Sequence, residues 1–226
     1  MTTIFIHGAG ANPLVWRLQT VHFPDSLAVK LPGHPRGSGL ATVSDYARSV
    51  ESQLVEKGIR NPVIVGHSMG GAIAIDLALE MSGLKGLVLV GTGARLRVRP
   101  EFLEEIKRDY PEAVKLLASW SVSPSTDPVL AERIASDLMK VKPEVTFDEF
   151  VACDKFDRMN RVGDVTCRTL IICGEDDRMT PKKYSELLHE RIKASELVII
   201  PGAGHSVMLE KHREFNQVLE SFLASL

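Results

Sequence analysis

The sequence predicts an α/β protein: a mostly parallel sheet of about six strands, flanked by helices and interrupted once by a helical insertion. Three observations lead there. Short apolar runs rich in Val and Ile recur along the chain with little polar alternation, as strands covered on both faces require. Amphipathic stretches of helical period separate them. The alternation fails only between about Arg95 and Val165, a block too long for a loop inside a compact domain.

The predicted strands are Thr3–Ile6, Leu27–Leu31, Pro62–Val65, Leu84–Val90, Thr169–Cys173 and Leu197–Ile200. The helices between and after them are Ser44–Lys57, Met69–Met81, Lys182–Ile192 and Arg213–Leu223. Within the insertion, Pro100, Pro111, Pro124, Pro128 and Pro143 separate helical segments at Glu101–Tyr110, Glu112–Trp120, Val129–Val141 and Phe147–Asp157.

With 226 residues, 44% hydrophobic and 25% charged, the chain has the composition of a soluble globular protein large enough for a real core. Its net charge of −2 argues against nucleic acid or an anionic membrane as the main partner. The densest basic stretch, Arg95, Arg97 and Arg99, reads as a solvated loop. Three cysteines, Cys153, Cys167 and Cys173, form neither a disulfide framework nor a zinc-spaced cluster, so no metal and no cofactor is expected. The N-terminus lacks a basic segment before a long apolar stretch, and no run reaches the ~18 apolar residues of a membrane helix. The expected location is the cytoplasm.

Chemistry is concentrated at Gly66-His67-Ser68-Met69-Gly70, a G-x-S-x-G stretch between a strand and a helix. A serine on so sharp a turn has neighbours two before and two after crowded together, and glycine at both removes the clashing Cβ atoms. The turn lifts Ser68 above the sheet and points the helix N-terminus at the reacting centre, where negative charge is favoured. His7-Gly8-Ala9-Gly10 follows the first strand and can present backbone N–H groups to an oxyanion; the expected pair is Ala9 and Met69. A serine hydroxyl needs a base. His205, in the glycine-rich loop Pro201–Ser206 after the last strand, is the candidate. His22, His34, His189 and His212 read as surface residues, His67 as packing beneath the serine, and His7 as ordering the oxyanion loop. The imidazole in turn needs an acid, and parallel sheets build their sites at the strands' C-terminal ends. The exit of Leu84–Val90 carries no acid, whereas Thr169–Cys173 exits through Glu175, Asp176 and Asp177. Elimination thus narrows the acid to that loop.

Together HGAG, GHSMGG, GEDDRMTP and PGAGH resemble the α/β-hydrolase superfamily along nearly the whole chain. The resemblance implies the α/β-hydrolase fold, with a core at 1–94 and 163–226 and a helical cap at 95–162. The family's G-x-x-D pattern, with a proline four residues on, selects Asp177, with Asp176 as fallback and Glu175 solvated. Thr180 then reads as the N-cap of the next helix and Pro181 as its first residue. Leu31-Pro32-Gly33-His34 is similar to a family loop, but the usual aspartate is absent and Pro35 replaces a glycine, so it receives no role. His7 lies only six residues from Met1, which leaves no room for the family's first two strands.

A Ser68–His205–Asp177 site with two N–H donors implies acyl transfer to water, and a carboxylesterase acting on small to medium apolar esters is the expected function. The candidate pocket residues are Gly8, Trp120, Phe147, Met139 and Val207. A serine nucleophile argues against the aspartate-dependent epoxide hydrolases and haloalkane dehalogenases. Among enzymes the main rival is a carbon–carbon bond hydrolase, although Ser206 stands where those enzymes commonly carry tryptophan. A thioesterase, lactonase or perhydrolase would use the same triad, and a ligand receptor is the rival of another class. The expected partners are an ester and water, with no nucleic acid and no membrane, and the chain is expected to be a monomer or homodimer.

Overall fold

The computed structural model describes residues 1–34 and 36–226; Pro35 lies outside the described residues. Six strands form one wholly parallel sheet. They are β1 (Thr3–Ile6), β2 (Ser26–Ala28), β3 (Val63–His67), β4 (Gly86–Val90), β5 (Thr169–Gly174) and β6 (Ser195–Ile200), in the order β2-β1-β3-β4-β5-β6.

The central strands alternate between two cores, which explains why they read as unbroken apolar runs. Ile4, Ile6, Ile64, Leu87, Leu89 and Ile171 face one side, where α2 (Val43–Glu56) and α3 (Met69–Glu80) pack. Phe5, Val63, Val65, Val88, Val90, Leu170 and Ile172 face the other with Trp16, Phe215 and Phe222.

The β2 prediction ran too long. β1 supplies partners only as far as Phe5↔Ala28, with Val29 N–H donating to the Phe5 carbonyl at 3.0 Å. Val29 and Leu31 are apolar because they are buried in the core, without strand pairing. Between β1 and β2 the chain also forms a 3-10 turn (Pro13–Trp16) and α1 (Arg17–His22), neither of which has a clear period in the sequence. Trp16 stacks on Phe5 with centroids 4.8 Å apart.

Between β4 and β5 lie α4 (Pro100–Arg108), α5 (Tyr110–Trp120), α6 (Pro128–Leu138) and α7 (Pro143–Lys155). Each begins with proline at N1 or N2, where its missing N–H costs nothing. They enclose an apolar cluster of their own that includes Phe102, Ile106, Val114, Leu117, Leu138 and Phe150. Their C-terminal connection is tied to the sheet helices by Arg158, whose Nε and Nη2 reach the two carboxylate oxygens of buried Asp76 on α3 at 2.7 and 2.9 Å. After β5 come α8 (Lys183–Arg191), then β6, α9 (Val207–Glu210) and α10 (His212–Ala224). Among the described residues, no helix is long and apolar enough to cross a membrane.

Candidate active site

Ser68 sits at the turn between β3 and α3 with φ 55° and ψ −119°, a conformation that costs a non-glycine residue of order 1–3 kcal/mol. The flanking glycines are sterically compelled. A Cβ on Gly66 would lie 2.1 Å from the Gly70 carbonyl oxygen, and one on Gly70 would lie 2.3 Å from that of Ile6. Ser68 N–H donates to the Val90 carbonyl at 3.0 Å, which anchors the turn to β4.

The loop after β1 closes on this turn. A Cβ on Gly8 would stand 3.0 Å from Ser68 Cβ, a contact so tight that a larger residue would push the loop away from the serine. Neither Ala9 N–H nor Met69 N–H has a protein acceptor among the described residues.

On the other side, His205 Nδ1 lies 2.8 Å from Asp177 Oδ2. Asp177 Oδ1 accepts from the Met179 and Thr180 N–H groups at 2.8 and 2.9 Å, and Oδ2 accepts from Thr180 Oγ1 at 2.8 Å. Burial by itself would raise this carboxyl, but the His205 charge and these hydrogen bonds outweigh it and hold the group below the usual carboxylate range. Thr180 is therefore not the helix N-cap the sequence suggested; α8 begins after Lys182, and the Thr180 hydroxyl is committed to Asp177.

The neighbouring carboxylates behave otherwise. Glu175 is exposed, and Asp176 accepts from Ser123 Oγ at 2.6 Å. Asp176 thereby holds the segment after α5, whose Ser121 carbonyl accepts from Ser206 N–H at 2.7 Å beside His205.

Ser68 and His205 line one cavity of ≈ 100 Å³, together with Gly8, Ala9, His67, Leu117, Ile134, Leu138, Phe150 and Met179. Of the five candidate pocket residues, Gly8 alone lines it. Trp120 faces an adjoining groove, Phe147 lies under Lys107 in a separate cleft lined by α4 and α7, Met139 is exposed, and Val207 is buried in the second core. Helical period identified the apolar faces of the insertion but not which face meets the sheet. Among the described residues, no His/Cys/Asp/Glu cluster has the make-up of a metal site.

A family model described as "Alpha/beta hydrolase family" matches residues 3–218. The chain belongs to the α/β-hydrolase family. A thermophilic esterase of known structure is 37% identical with a TM-score of 0.88, covering 99% of this chain and 89% of that one. A pimeloyl-(acyl-carrier protein) methyl ester esterase of Neisseria meningitidis is 26% identical over 244 residues, 96% of this chain and 91% of the relative. A 2-hydroxy-6-oxo-6-phenylhexa-2,4-dienoate hydrolase of Burkholderia cepacia is 29% identical over 198 residues, 79% of this chain and 68% of the relative.

This α/β hydrolase holds two further buried histidines beside the cavity. His67 Nε2–H donates to the His205 carbonyl at 3.0 Å, and His7 Nδ1–H donates to the Gly8 carbonyl at 3.0 Å. Burial, then the neighbouring histidine's charge (His205 and His34 respectively), lowers each from 6.5 to about 3. Between those pH values the unfolded chain binds protons that the fold excludes. Stability is therefore full above pH 6.5 and falls on acidification, by up to about 1.4 kcal/mol per pH unit for each imidazole. Asp177, held low, adds a loss in the same direction once pH drops below its unfolded value of ~3.9. Glu149, raised chiefly by burial, opposes it from its unfolded value of ~4.3 upward. Urea midpoints measured from pH 7 to pH 5 are expected to drop steeply; a flat profile would contradict neutral burial of His7 and His67.

His34 corrects the expectation of a surface residue. It is buried, with Nε2 2.7 Å from Glu149 Oε1, while Glu149 Oε2 accepts from Gly10 N–H at 2.7 Å. The Leu31–His34 loop, given no role from sequence, thus joins an inserted helix to the loop beside Ser68. The sign was available in α7: Glu149 occupies the same apolar stripe as Val145, Ala152 and Cys153. Glu149→Ala would leave two buried polar groups unpaired and is expected to cost about 3–5 kcal/mol in denaturant unfolding. A loss below about 1 kcal/mol would mean the network carries little stability.

Proposed function

We propose that this α/β hydrolase is a carboxylesterase that cleaves small to medium apolar esters through Ser68, His205 and Asp177. The observation that carries this reading is the 2.8 Å contact of buried Asp177 with His205, which lines one cavity with Ser68. In this reading Ser68 Oγ attacks the ester carbonyl and its proton passes to His205 Nε2. Asp177 fixes the Nδ1–H tautomer and stabilises the imidazolium. The Ala9 and Met69 N–H groups receive the developing oxyanion. His205 returns the proton to the leaving alcohol; water then enters with His205 again as base, and the acid is released. Helices α4 to α7 act as a cap, and the small apolar cavity suits a short acyl group better than a polysaccharide or peptide. The thermophilic esterase relative favours the same reading.

The Burkholderia cepacia relative supports carbon–carbon bond cleavage as the second reading. Metal-free assays on p-nitrophenyl acetate and butyrate, beside a dienol-type diketone, separate the two. Ester turnover without diketone cleavage is the expected result; the reverse would replace the esterase by the second reading.

A further inference from the structure

We infer that a groove adjoining the active cavity is an anion-binding subsite, and that the ester taken by this enzyme bears a carboxylate or phosphate at the far end of an apolar chain. This deepens the esterase reading and rests on it.

The groove has a volume of ≈ 310 Å³ and shares Leu117, Phe150 and Met179 with the cavity of Ser68 and His205. A chain leaving Ser68 in this direction crosses Met179, whose unbranched thioether side chain adapts readily to a neighbour. The floor is aromatic: Phe102 lies 5.3 Å from Trp120 and 5.0 Å from Phe150, centroid to centroid. Such a surface takes hydrocarbon.

The rest of the lining is Val98 and three arginines, Arg97, Arg99 and Arg178, with no acidic residue among them. What fixes these arginines leaves their charge unbalanced. Arg97 Nη1 donates to the backbone carbonyl of Asp154 at 2.6 Å. Its nearest carboxylate, Asp157, is 4.0 Å away and is engaged by Arg95 at 2.7 Å. Arg178 Nη2 donates to the Ser119 carbonyl at 2.5 Å and, less closely, to that of Val122 at 3.4 Å. Arg99 is exposed, and its guanidinium has no hydrogen-bond or ion-pair partner among the described residues. Carbonyl acceptors orient a guanidinium without neutralising it. Three like charges around one apolar groove favour an anion, and the planar fork suits both carboxylate and phosphate. The whole chain carries a net charge of −2, so this positive field is local to the groove.

The test compares p-nitrophenyl half-esters of linear dicarboxylic acids, from glutaric to suberic, with neutral p-nitrophenyl esters of matched length. A third arm carries a terminal phosphonate in place of the carboxylate. The intact protein is expected to favour an anionic series by about tenfold or more in kcat/KM, the order of a charge-assisted hydrogen bond. The preferred arm then identifies the anion. In Arg97→Gln/Arg99→Gln the anionic-to-neutral ratio is expected to collapse towards one, and high salt should narrow it in the unaltered protein. Equal rates on both series, or a preference that survives the double substitution, would overturn the subsite. If no ester is turned over, the esterase reading fails by itself. Calorimetric titration with adipate and with 6-phosphonohexanoate then decides the subsite alone: binding that the double substitution abolishes supports it, and no binding by the intact protein overturns it.

Discussion

Ser68→Ala is expected to lower ester turnover by about 10⁶, without unfolding the protein. The size follows from chemistry rather than contact energy. On the proposed mechanism no acyl-enzyme can form without the hydroxyl, and water would have to attack with only the N–H groups of Ala9 and Met69 to stabilise the oxyanion. The half-exposed Ser68 side chain holds no buried network together, and its backbone bond to Val90 remains. Alanine inherits the φ of 55°, so a modest change in melting temperature is expected while the strain stays in place. Undiminished hydrolysis in this variant would remove the serine mechanism altogether.

Asp177→Asn is expected to cost about 10⁴ in turnover, with Asp176→Asn much milder. An asparagine at 177 keeps the shape of the site but can turn its amide N–H₂ towards His205 Nδ1. That favours the tautomer with its proton on Nε2, where the serine proton must be received. It also removes the negative charge that stabilises the imidazolium. Asp176 faces Ser123 Oγ instead, and asparagine retains an acceptor for that hydroxyl. Steady-state kinetics on p-nitrophenyl butyrate, with circular dichroism to verify folding, checks the ranking. The reverse order would transfer the acid's role to Asp176.

Much of this was legible in residue order because it depends on local constraints. The four inner strands are buried and must be apolar on both faces, and five of the six predicted runs locate a strand to within a few residues. The edge strand was overdrawn because apolarity records burial, whereas pairing requires a partner, and β2 leaves the ladder at Ala28 although β1 continues to Ile6. The strand-to-helix turn at Ser68 admits glycine at 66 and 70 for steric reasons that leave a fixed spacing. The acid could be narrowed to one loop, but choosing Asp177 needed the family's pattern, because Asp176 and Asp177 differ in direction and not in chemistry.

The residues beyond this were invisible for a common reason: each gains its meaning from a partner distant in sequence. His34 and Glu149 are 115 positions apart and buried against each other. Thr180 looked like a helix cap until Asp177 folded back towards it. Arg97 and Arg99 read as a solvated loop, and only folding sets them around a groove with Arg178. In this chain, the sequence by itself determined the strand and helix periods, the strand-to-helix turn at Ser68 and the order of the motifs, because backbone sterics and burial act over a few residues. Tertiary structure alone decided which apolar side chains face Ser68, which buried polar groups pair across the fold and which charges gather around the groove, because direction and desolvation exist only once distant segments pack.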